Sequence, residues 1–263
     1  MLPYAERVVA ATLDAENAVR TLARRNSGPV SLAVVGTLAG GRLSAILKRF
    51  AGEHPDVNLA LRTATSVEVS DLIRRGEATI GLRYDPDTSR DLDCELLFAE
   101  PLRVVCAPDH RLAGGRVARL ADLRDERWIG FPELPGRREI AASHVSALFL
   151  THGLGEVEWT PVDSLTAQKR LVEAGFGIAL LSESHVADEL RSSTISTIGV
   201  GDLLARHNIM MVTRHGGFLS AASRRLLEII RADYRETKST GPGAGKPKQA
   251  RARKGQIKRW RAP

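Results

Sequence analysis

Two successive units of strand, turn and helix between residues 30 and 82 constrain the fold of this chain more than any other feature. In the first unit, an apolar run from Leu32 to Val35 ends at a glycine, and apolar residues then recur at helical spacing from Leu43 to Phe50. The second unit repeats this order from Val57, and a third strand follows from Thr79 to Arg83. Strands and helices that alternate with short connections predict a mostly parallel sheet covered by helices on both faces.

The carboxyl ends of these strands are the expected binding edge, because ligands of parallel α/β sheets lie outside the carboxyl ends of the strands. The turn after the first strand also presents free backbone N–H groups and a partial positive charge at a helix start, which suits a small anion or a polar ligand. The residues expected to converge there from this half of the chain are Thr37, Leu38, Thr65, Ser66 and Arg83.

Four segments, in their order along the chain, resemble the effector-binding region of LysR-type transcriptional regulators: GPVSLAVVGTLAGGRLSAILKRFAGEHPDVNLAL, VSDLIRRGEATIGL, PLRVVCAPDHRLA and KRLVEAGFGIALLS. The resemblance covers roughly Val30 to Arg235, and the helix before it resembles the linker helix of that family. It implies two Rossmann-like α/β lobes, as in type 2 periplasmic binding proteins, with an effector in the cleft between them. It also implies a winged helix-turn-helix that has no counterpart in these 263 residues, so we expect a truncated product or a form that has lost its DNA-reading domain.

The resemblance also implies where the effector-binding domain, residues 29–235, divides into lobes. Lobe I would comprise about 29–107 and 209–235, and lobe II about 108–208. The chain would cross between the lobes twice, with hinge positions at Ala107, Pro108 and Ile209.

Lobe II contributes strand ends of its own to the expected cleft. A strand over residues 128–131 opens into a loop that begins at Pro132, and a later strand ends at Ser164, where a helix with Leu165 follows. Because Ser164 heads a helix, its hydroxyl has two alternative roles, to cap that helix or to contact the ligand. We expect these two pairs of residues, Phe131 with Pro132 and Ser164 with Leu165, to face the lobe I residues across the cleft.

One helix is predicted over residues 1–26, and a Ser-Gly-Pro linker sets it off from the next strand. Its apolar residues are separated alternately by three and four positions, which is typical of a coiled-coil seam, and several are alanines that allow close approach. The alternative is a helix that packs on its own domain. We predict a linker and dimerisation helix over residues 1–28, with a seam that includes Tyr4, Val8, Ala11, Ala15, Ala18 and Leu22.

The net charge of +7 is concentrated at the end of the chain. Residues 236–263 hold nine Lys and Arg residues against one Glu, a charge of +8, which leaves −1 for residues 1–235. This tail has many Gly and Pro residues and almost no apolar side chains, so we predict that it is disordered. Its attraction to DNA would be weak and non-specific, and any specific contact with DNA would need the missing N-terminal domain.

The sequence contains none of the common motifs that indicate an enzyme or a metal site. We find no phosphate-binding loop, dinucleotide fingerprint, His-Glu-x-x-His or nucleophile elbow. Cys94 and Cys106, the only cysteines, are expected to be plain thiols. No run approaches the roughly 18 apolar residues of a membrane span, and no signal peptide is recognisable, which predicts a cytoplasmic protein. We therefore expect no catalytic residue, no cofactor and no metal.

Together these features predict the effector-sensing part of a LysR-type regulator that binds a small metabolite and forms a dimer or tetramer. The expected cleft is rich in hydroxyl and N–H donors, and Arg83 is its one side chain able to bind a carboxylate bidentately, so we expect a carboxylate-bearing ligand. The alternative for Arg83 is pairing with Asp85 or Asp87. The alternative for the protein is a cytoplasmic small-molecule-binding protein of the same fold without a transcriptional role, and an enzyme is the third hypothesis.

Overall fold

The computed structural model describes residues 2–23, 28–132 and 140–240. The helices of these residues are α1 Leu2–Ala23, α2 Gly41–Glu53, α3 Ser66–Arg74, α4 Ile140–Thr151, α5 Leu165–Glu173, α6 Ala187–Ser192 and α7 Ala221–Thr240. The strands are β1 Val30–Val35, β2 Leu59–Ala64, β3 Ile80–Tyr84, β4 Leu92–Cys106, β5 Arg116–Val117, β6 Trp128–Gly130, β7 Trp159–Pro161, β8 Ile178–Ser182, β9 Ser196–Val200 and β10 Arg206–Arg214. Short 3₁₀ turns follow β1 at Gly36–Leu38 and β8 at Glu183–His185.

The strands form one hydrogen-bonded path in the order β2-β1-β3-β10-β4-β8-β6-β7, with β9 attached to β4 and β5. At one end β1 pairs in parallel with β2 and β3, and at the other end β6 pairs in parallel with β7 and β8. The central pairs of β10 with β3 and β4, and of β4 with β8, are antiparallel. The structure thus confirms the predicted α/β class with two Rossmann-like lobes.

Two long strands, β4 and β10, join these lobes. The first part of β4, from Leu92 to Pro101, pairs with β10, whereas the part from Leu102 to Cys106 pairs with β8 and β9. We use lobe I for the part built on β1, β2, β3, β10 and the first part of β4, and lobe II for the part built on the other strands. The chain therefore passes between the lobes where β4 changes its partner.

The chain passes between the lobes at positions that differ from the predicted hinges. Ala107 and Pro108 follow the end of β4 inside lobe II, and Ile209 lies within the paired part of β10 inside lobe I. The passages instead lie near Pro101 and near Ala205, the residue before β10. The prediction for the first passage was wrong because β4 continues without interruption across the boundary, so the pattern of apolar residues does not show where its partner changes. The prediction for the second passage was wrong because the chain enters lobe I before β10 begins.

Each lobe has its own apolar core. In lobe I, α2 packs Ile46 and Phe50 against the buried strands β1 and β3, as the helical spacing predicted. In lobe II, the sheet separates two clusters, one around Trp128 and the other around Ile129. Successive side chains of a strand point to opposite faces, which explains why these neighbours belong to different clusters. The ring of Trp128 packs edge-on against Phe149, with 4.6 Å between the ring centroids.

The N-terminal helix α1 docks on lobe I with one of its faces. Ala10 is fully buried and lies against Gly76, where an added Cβ would come within 3.4 Å of the Ala10 Cα. Asp14 pairs with Arg214 at 2.5 Å and accepts a hydrogen bond from the Phe218 N–H at 3.2 Å. For this face, packing of the helix on its own domain is the correct alternative.

The face that carries the predicted seam points away from lobe I. Val8 is 67% exposed, Ala11 and Ala15 are also exposed, and Ala18 is half-buried. The side chains of Tyr4 and Leu22 lie outside the described residues. Pairing of two copies through this seam stays a prediction, and the structure leaves the face available for it.

The last helix extends into the predicted tail. We predicted that residues 236–263 are disordered, but α7 continues to Thr240. No Gly or Pro occurs before Gly241, so the chain offers no earlier signal that would end the helix. Residues 241–263, which make up the remainder of the predicted tail, lie outside the described residues. None of the helices described has both the length and the apolar character needed to cross a membrane.

Candidate ligand-binding cleft

A cleft of about 750 Å³ lies between the lobes, at the carboxyl ends of their parallel strands. The segments after β1 and β2 form the lobe I wall, and those after β6 and β7 form the lobe II wall. Both the position and the volume are typical of a small-molecule site. Seven of the nine predicted binding residues line this cleft: Thr37, Leu38, Thr65, Phe131, Pro132, Ser164 and Leu165. Their contact with an effector stays a prediction.

Arg83 and Ser66, the other two residues, lie outside the cleft. Arg83 is 3% exposed and donates to Ser70 Oγ at 2.5 Å and to Asp87 Oδ2 at 3.1 Å. Ser66 is fully buried, and its hydroxyl accepts a hydrogen bond from the Tyr84 N–H at 3.3 Å. The expectation that Arg83 reaches an effector in the cleft is therefore wrong, and its alternative pairing with Asp87 is correct.

The alternation of side chains along β3 explains this correction. Gly81 and Arg83 face α3, so the next residue, Tyr84, points the other way and lines the cleft. The Tyr84 hydroxyl lies 2.8 Å from Thr37 Oγ1 and 3.2 Å from His185 Nε2, which belongs to lobe II. The predicted strand ended one residue too early, and this error placed the wrong side chain in the cleft.

Imidazole rings from both lobes surround Tyr84. The His207 ring centroid lies 5.0 Å from that of Tyr84 and 5.1 Å from that of His144, and His207 Nδ1 lies 3.3 Å from Ser182 Oγ. Burial, and after it the positive charge of a neighbouring histidine, lowers the pKa of His185 and of His207 to about 4. Both rings are therefore neutral near pH 7, so they offer hydrogen bonds without positive charge.

Glu100 brings a carboxyl group to the cleft from the passage between the lobes. It is 3% exposed; its Oε1 accepts a hydrogen bond from the Ser184 N–H at 2.7 Å, and its Oε2 has no partner among the described residues. Burial raises the pKa of this carboxyl group. The guanidinium of Arg42, which also lines the cleft, lies 3.6 Å from the ring centroid of Tyr234 and donates to Asp233 at 2.6 Å. The cleft thus contains buried and charged groups that the sequence analysis did not identify.

Gln168 adds a second buried acceptor on the lobe II side. It lies in the first turn of α5 and is fully buried, and its Nε2 donates to the Val162 carbonyl at 2.7 Å. Its Oε1 has no partner among the described residues. Gln168 and Val172 occupy adjacent turns of one buried helix face, so Gln168 takes a position that would ordinarily hold an apolar residue.

Helix starts supply the donors. The N-cap of α2 is Gly40, which provides no side chain to accept from the first N–H groups of the helix, and the space beside Gly36, Gly40 and Gly41 is open. On the opposite wall, Ser164 caps α5, with its Oγ 3.4 Å from the Ala167 N–H. Of the two alternatives for Ser164, the capping role is present, and the residue also lines the cleft.

This arrangement is suited to binding. Donors at the helix starts and acceptors at Glu100 and Gln168 can hold a polar ligand between the lobes. Within the described part of the chain, no group of three or more His, Cys, Asp or Glu side chains is placed to hold a metal ion. Cys94 and Cys106 are free thiols, and burial raises the pKa of Cys106 to about 11.

The cleft residues that sequence reasoning missed include Tyr84, Glu100, Gln168, His185 and His207. A signal existed for Glu100, because it is the one charged residue between Leu96 and Leu102 in a run that is otherwise apolar or proline. For His185 and His207 we find no local signal, because their burial depends on contacts between the lobes.

Comparison with known families gives a match to the LysR substrate binding domain over residues 23–235. This range includes both lobes and both walls of the cleft.

GltC and SsuR are two of the curated relatives that are similar in sequence. The transcriptional dual regulator GltC of Bacillus subtilis is 28% identical over 169 residues, which are 64% of this chain and 55% of GltC. The HTH-type transcriptional regulator SsuR of Burkholderia cenocepacia is 26% identical over 235 residues, which are 87% of this chain and 74% of SsuR. The match therefore spans from about half to about three quarters of these relatives.

A solved structure is similar in fold. The BenM effector binding domain with its effector benzoate matches with a TM-score of 0.67 at 24% identity, over 82% of this chain and 96% of that domain. The two-lobed architecture of this chain is thus that of an effector-binding domain.

Proposed function

This chain belongs to the LysR substrate-binding domain family, and we propose that it is the effector-sensing part of a LysR-type transcriptional regulator. In this proposal a small metabolite binds between the lobes and alters their relative position, which controls transcription through a DNA-binding domain. Control of transcription is a property of the whole regulator, and the match covers only 55% of GltC and 74% of SsuR.

The observation that supports this proposal most directly is that both lobes contribute to one cleft while β4 and β10 carry the chain between them. A ligand that contacts both walls gains more contacts when the lobes approach, so binding shifts the equilibrium toward a closed arrangement. The Tyr84 hydroxyl, which already bridges Thr37 of lobe I and His185 of lobe II, lies where such a change would be transmitted.

A carboxylate is the ligand group that the cleft favours. The first turn of α2 offers N–H donors in open space, and the positive end of its dipole favours an anion. Arg42 adds a guanidinium to the same wall. BenM, which shares the fold, has benzoate as its effector, and benzoate is a carboxylate. Because Arg83 lies outside the cleft, the expectation of an acidic effector depends on these features instead.

Self-association through α1 is part of the proposal. The docked face of α1 fixes the helix on lobe I, and the exposed face carries Val8, Ala11 and Ala15 at seam spacing. Pairing of two such helices would bury this apolar face and would connect the lobes of one copy to those of another.

Calorimetric titration with a panel of small carboxylates tests the ligand class. At least one compound should bind, and Phe131→Ala should weaken its binding by about tenfold or more, because an aromatic contact in the cleft wall is lost. Phe176→Ala is the matched control, since Phe176 is 58% exposed and does not line the cleft. Binding that is equally sensitive to both variants, or a panel in which no carboxylate binds, would contradict the proposal.

A further inference from the structure

Two buried side-chain oxygens of cleft-lining residues are acceptors that have no donor among the described residues. They are Glu100 Oε2, from the passage between the lobes, and Gln168 Oε1, from the first turn of α5. Both residues line the cleft, and their exposed fractions are 3% and 0%. Buried polar atoms in native proteins nearly always have a hydrogen-bond partner, so two such oxygens in one cleft need an explanation.

Each of the two side chains is oriented by one hydrogen bond to the backbone. The Glu100 carboxyl is held by the 2.7 Å hydrogen bond from the Ser184 N–H to Oε1. The Gln168 amide is oriented by its Nε2, which donates to the Val162 carbonyl at 2.7 Å. Exchanging the oxygen and nitrogen of this amide would bring two acceptors together, so its oxygen remains without a donor.

Two other buried side-chain atoms near the cleft also lack a partner among the described residues, but they restrict the chemistry of a ligand less. They are His207 Nε2 and His144 Nδ1, and an imidazole nitrogen can donate or accept according to its tautomer. The oxygens of an amide and of an ionised carboxyl group can only accept. The ligand group that faces Glu100 and Gln168 must therefore supply N–H or O–H donors.

We propose that the effector is a small acid that also carries its own hydroxyl or ammonium donors, which satisfy Glu100 Oε2 and Gln168 Oε1. This inference rests on the proposed function, since it keeps the acidic group of the ligand at the donor-rich start of α2. It adds that the donors of the ligand face Glu100 Oε2 and Gln168 Oε1. It excludes plain mono- and dicarboxylates as the preferred ligands, because they would leave both oxygens unsatisfied.

Two matched sets of compounds test the inference by calorimetry. The four-carbon set is succinate, malate, aspartate and erythritol, and the six-membered-ring set is cyclohexanecarboxylate, shikimate and inositol. In each set the compounds carry an acid alone, an acid with donors, or donors alone. In at least one set, the compound with both groups should bind at least about tenfold more tightly than the plain acid, the effect of a hydrogen bond to a charged or otherwise unsatisfied group.

Glu100→Gln tests the assignment to Glu100. The amide can keep the bond from Ser184 through its oxygen, but it presents an N–H group where Oε2 stood, so an ammonium ligand should lose its tenfold preference. A hydroxyl ligand should lose less, because a hydroxyl can also accept. Glu183→Gln is the matched control, since Glu183 adjoins Ser184 and pairs with Arg103 but does not line the cleft. Gln168→Met is a second variant, and an unfolding transition confirms that each variant is folded.

The outcomes separate the inference from the proposed function. If the plain acids bind as tightly as their substituted partners, water satisfies the two oxygens, and the inference is overturned while acid sensing stands. A preference that survives both Glu100→Gln and Gln168→Met overturns it as well. If only erythritol or inositol binds, the donor assignment is supported and the acidic ligand class is overturned. If no compound of either set binds, both are overturned.

Discussion

Two buried polar clusters begin at neighbouring residues of β3 and differ in how completely their hydrogen bonds are made. On the α3 side, Asp87 accepts from Arg74 at 2.7 Å and from Arg83 at 3.1 Å, and no buried side-chain atom of these three residues lacks a partner. On the cleft side, the atoms without a partner among the described residues are Glu100 Oε2, Gln168 Oε1, His144 Nδ1 and His207 Nε2. A complete network stabilises the fold, whereas an incomplete one at a cleft is available to a ligand.

The largest expected effect comes from breaking the complete cluster at its centre. Asp87→Ala should lower the free energy of unfolding by about 3–5 kcal/mol, because it leaves the guanidinium of Arg83 buried without its carboxylate. Urea denaturation measures this loss. Asp91→Ala is the matched control: Asp91 also pairs with Arg74, but it is more exposed, so the loss should stay below about 1 kcal/mol. Equal losses for the two variants would show that the buried pairing of Asp87 with Arg83 does not set the stability of this cluster.

The second effect concerns pH and the neutral histidines of the cleft. An unfolded histidine binds a proton near pH 6.5, whereas His185 and His207 stay neutral down to about pH 4. Between these pH values the unfolded state binds more protons than the folded state does. The stability that the two neutral histidines contribute is therefore fully present above about pH 6.5 and is lost as the pH falls toward 4. The loss should be on the order of 2 kcal/mol for each histidine.

His207→Phe removes one of these groups while keeping a ring beside Tyr84. The slope of unfolding free energy against pH should therefore decrease by up to one proton between pH 6.5 and 4. Denaturant titrations at a series of pH values measure the slope. If the slopes of the variant and the unmodified chain coincide, His207 is not the buried neutral group described here.

A smaller loss of stability is expected from removing a hydrogen bond that the cleft cluster already makes. Thr37→Val removes the hydroxyl that lies 2.8 Å from the Tyr84 hydroxyl and keeps the shape of the side chain, so it should lower stability by about 1 kcal/mol. A double-mutant cycle with Tyr84→Phe should give a coupling energy of about 0.5–1.5 kcal/mol. Strictly additive losses would show that the two hydroxyls do not stabilise each other.

The smallest expected effect on folding lies on the outer face of α1. Val8→Asp should change the free energy of unfolding of the single chain by less than about 0.5 kcal/mol, because Val8 is exposed. If Val8 belongs to a seam between two copies, the same change should shift the sedimentation profile toward the monomer, since it places a charge in an apolar interface. Val9→Asp is the matched control, because Val9 is also exposed but lies one residue off the seam. Identical profiles for the two variants would contradict the seam.

Residues with local signals were predicted well. Ile46 and Phe50 recur at helical spacing and are buried in α2 as expected. The predicted edge of the sheet also holds the cleft, because the carboxyl ends of parallel strands meet there whichever side chains they carry. Arg83 was misplaced because a shift of one residue at the end of a strand exchanges the two faces of the sheet.

The order of apolar runs, glycines and helical spacings determined by itself that this chain forms an α/β sheet with a binding edge at its strand ends, because these patterns act through neighbouring residues. The division into two lobes was implied by the resemblance to LysR-type regulators. The tertiary structure decided which polar groups occupy the cleft. Glu100, His185 and His207 meet there only because β4 and β10 carry the chain between the lobes. Their burial comes from segments far apart in sequence, and no local pattern of residues encodes such long-range contacts.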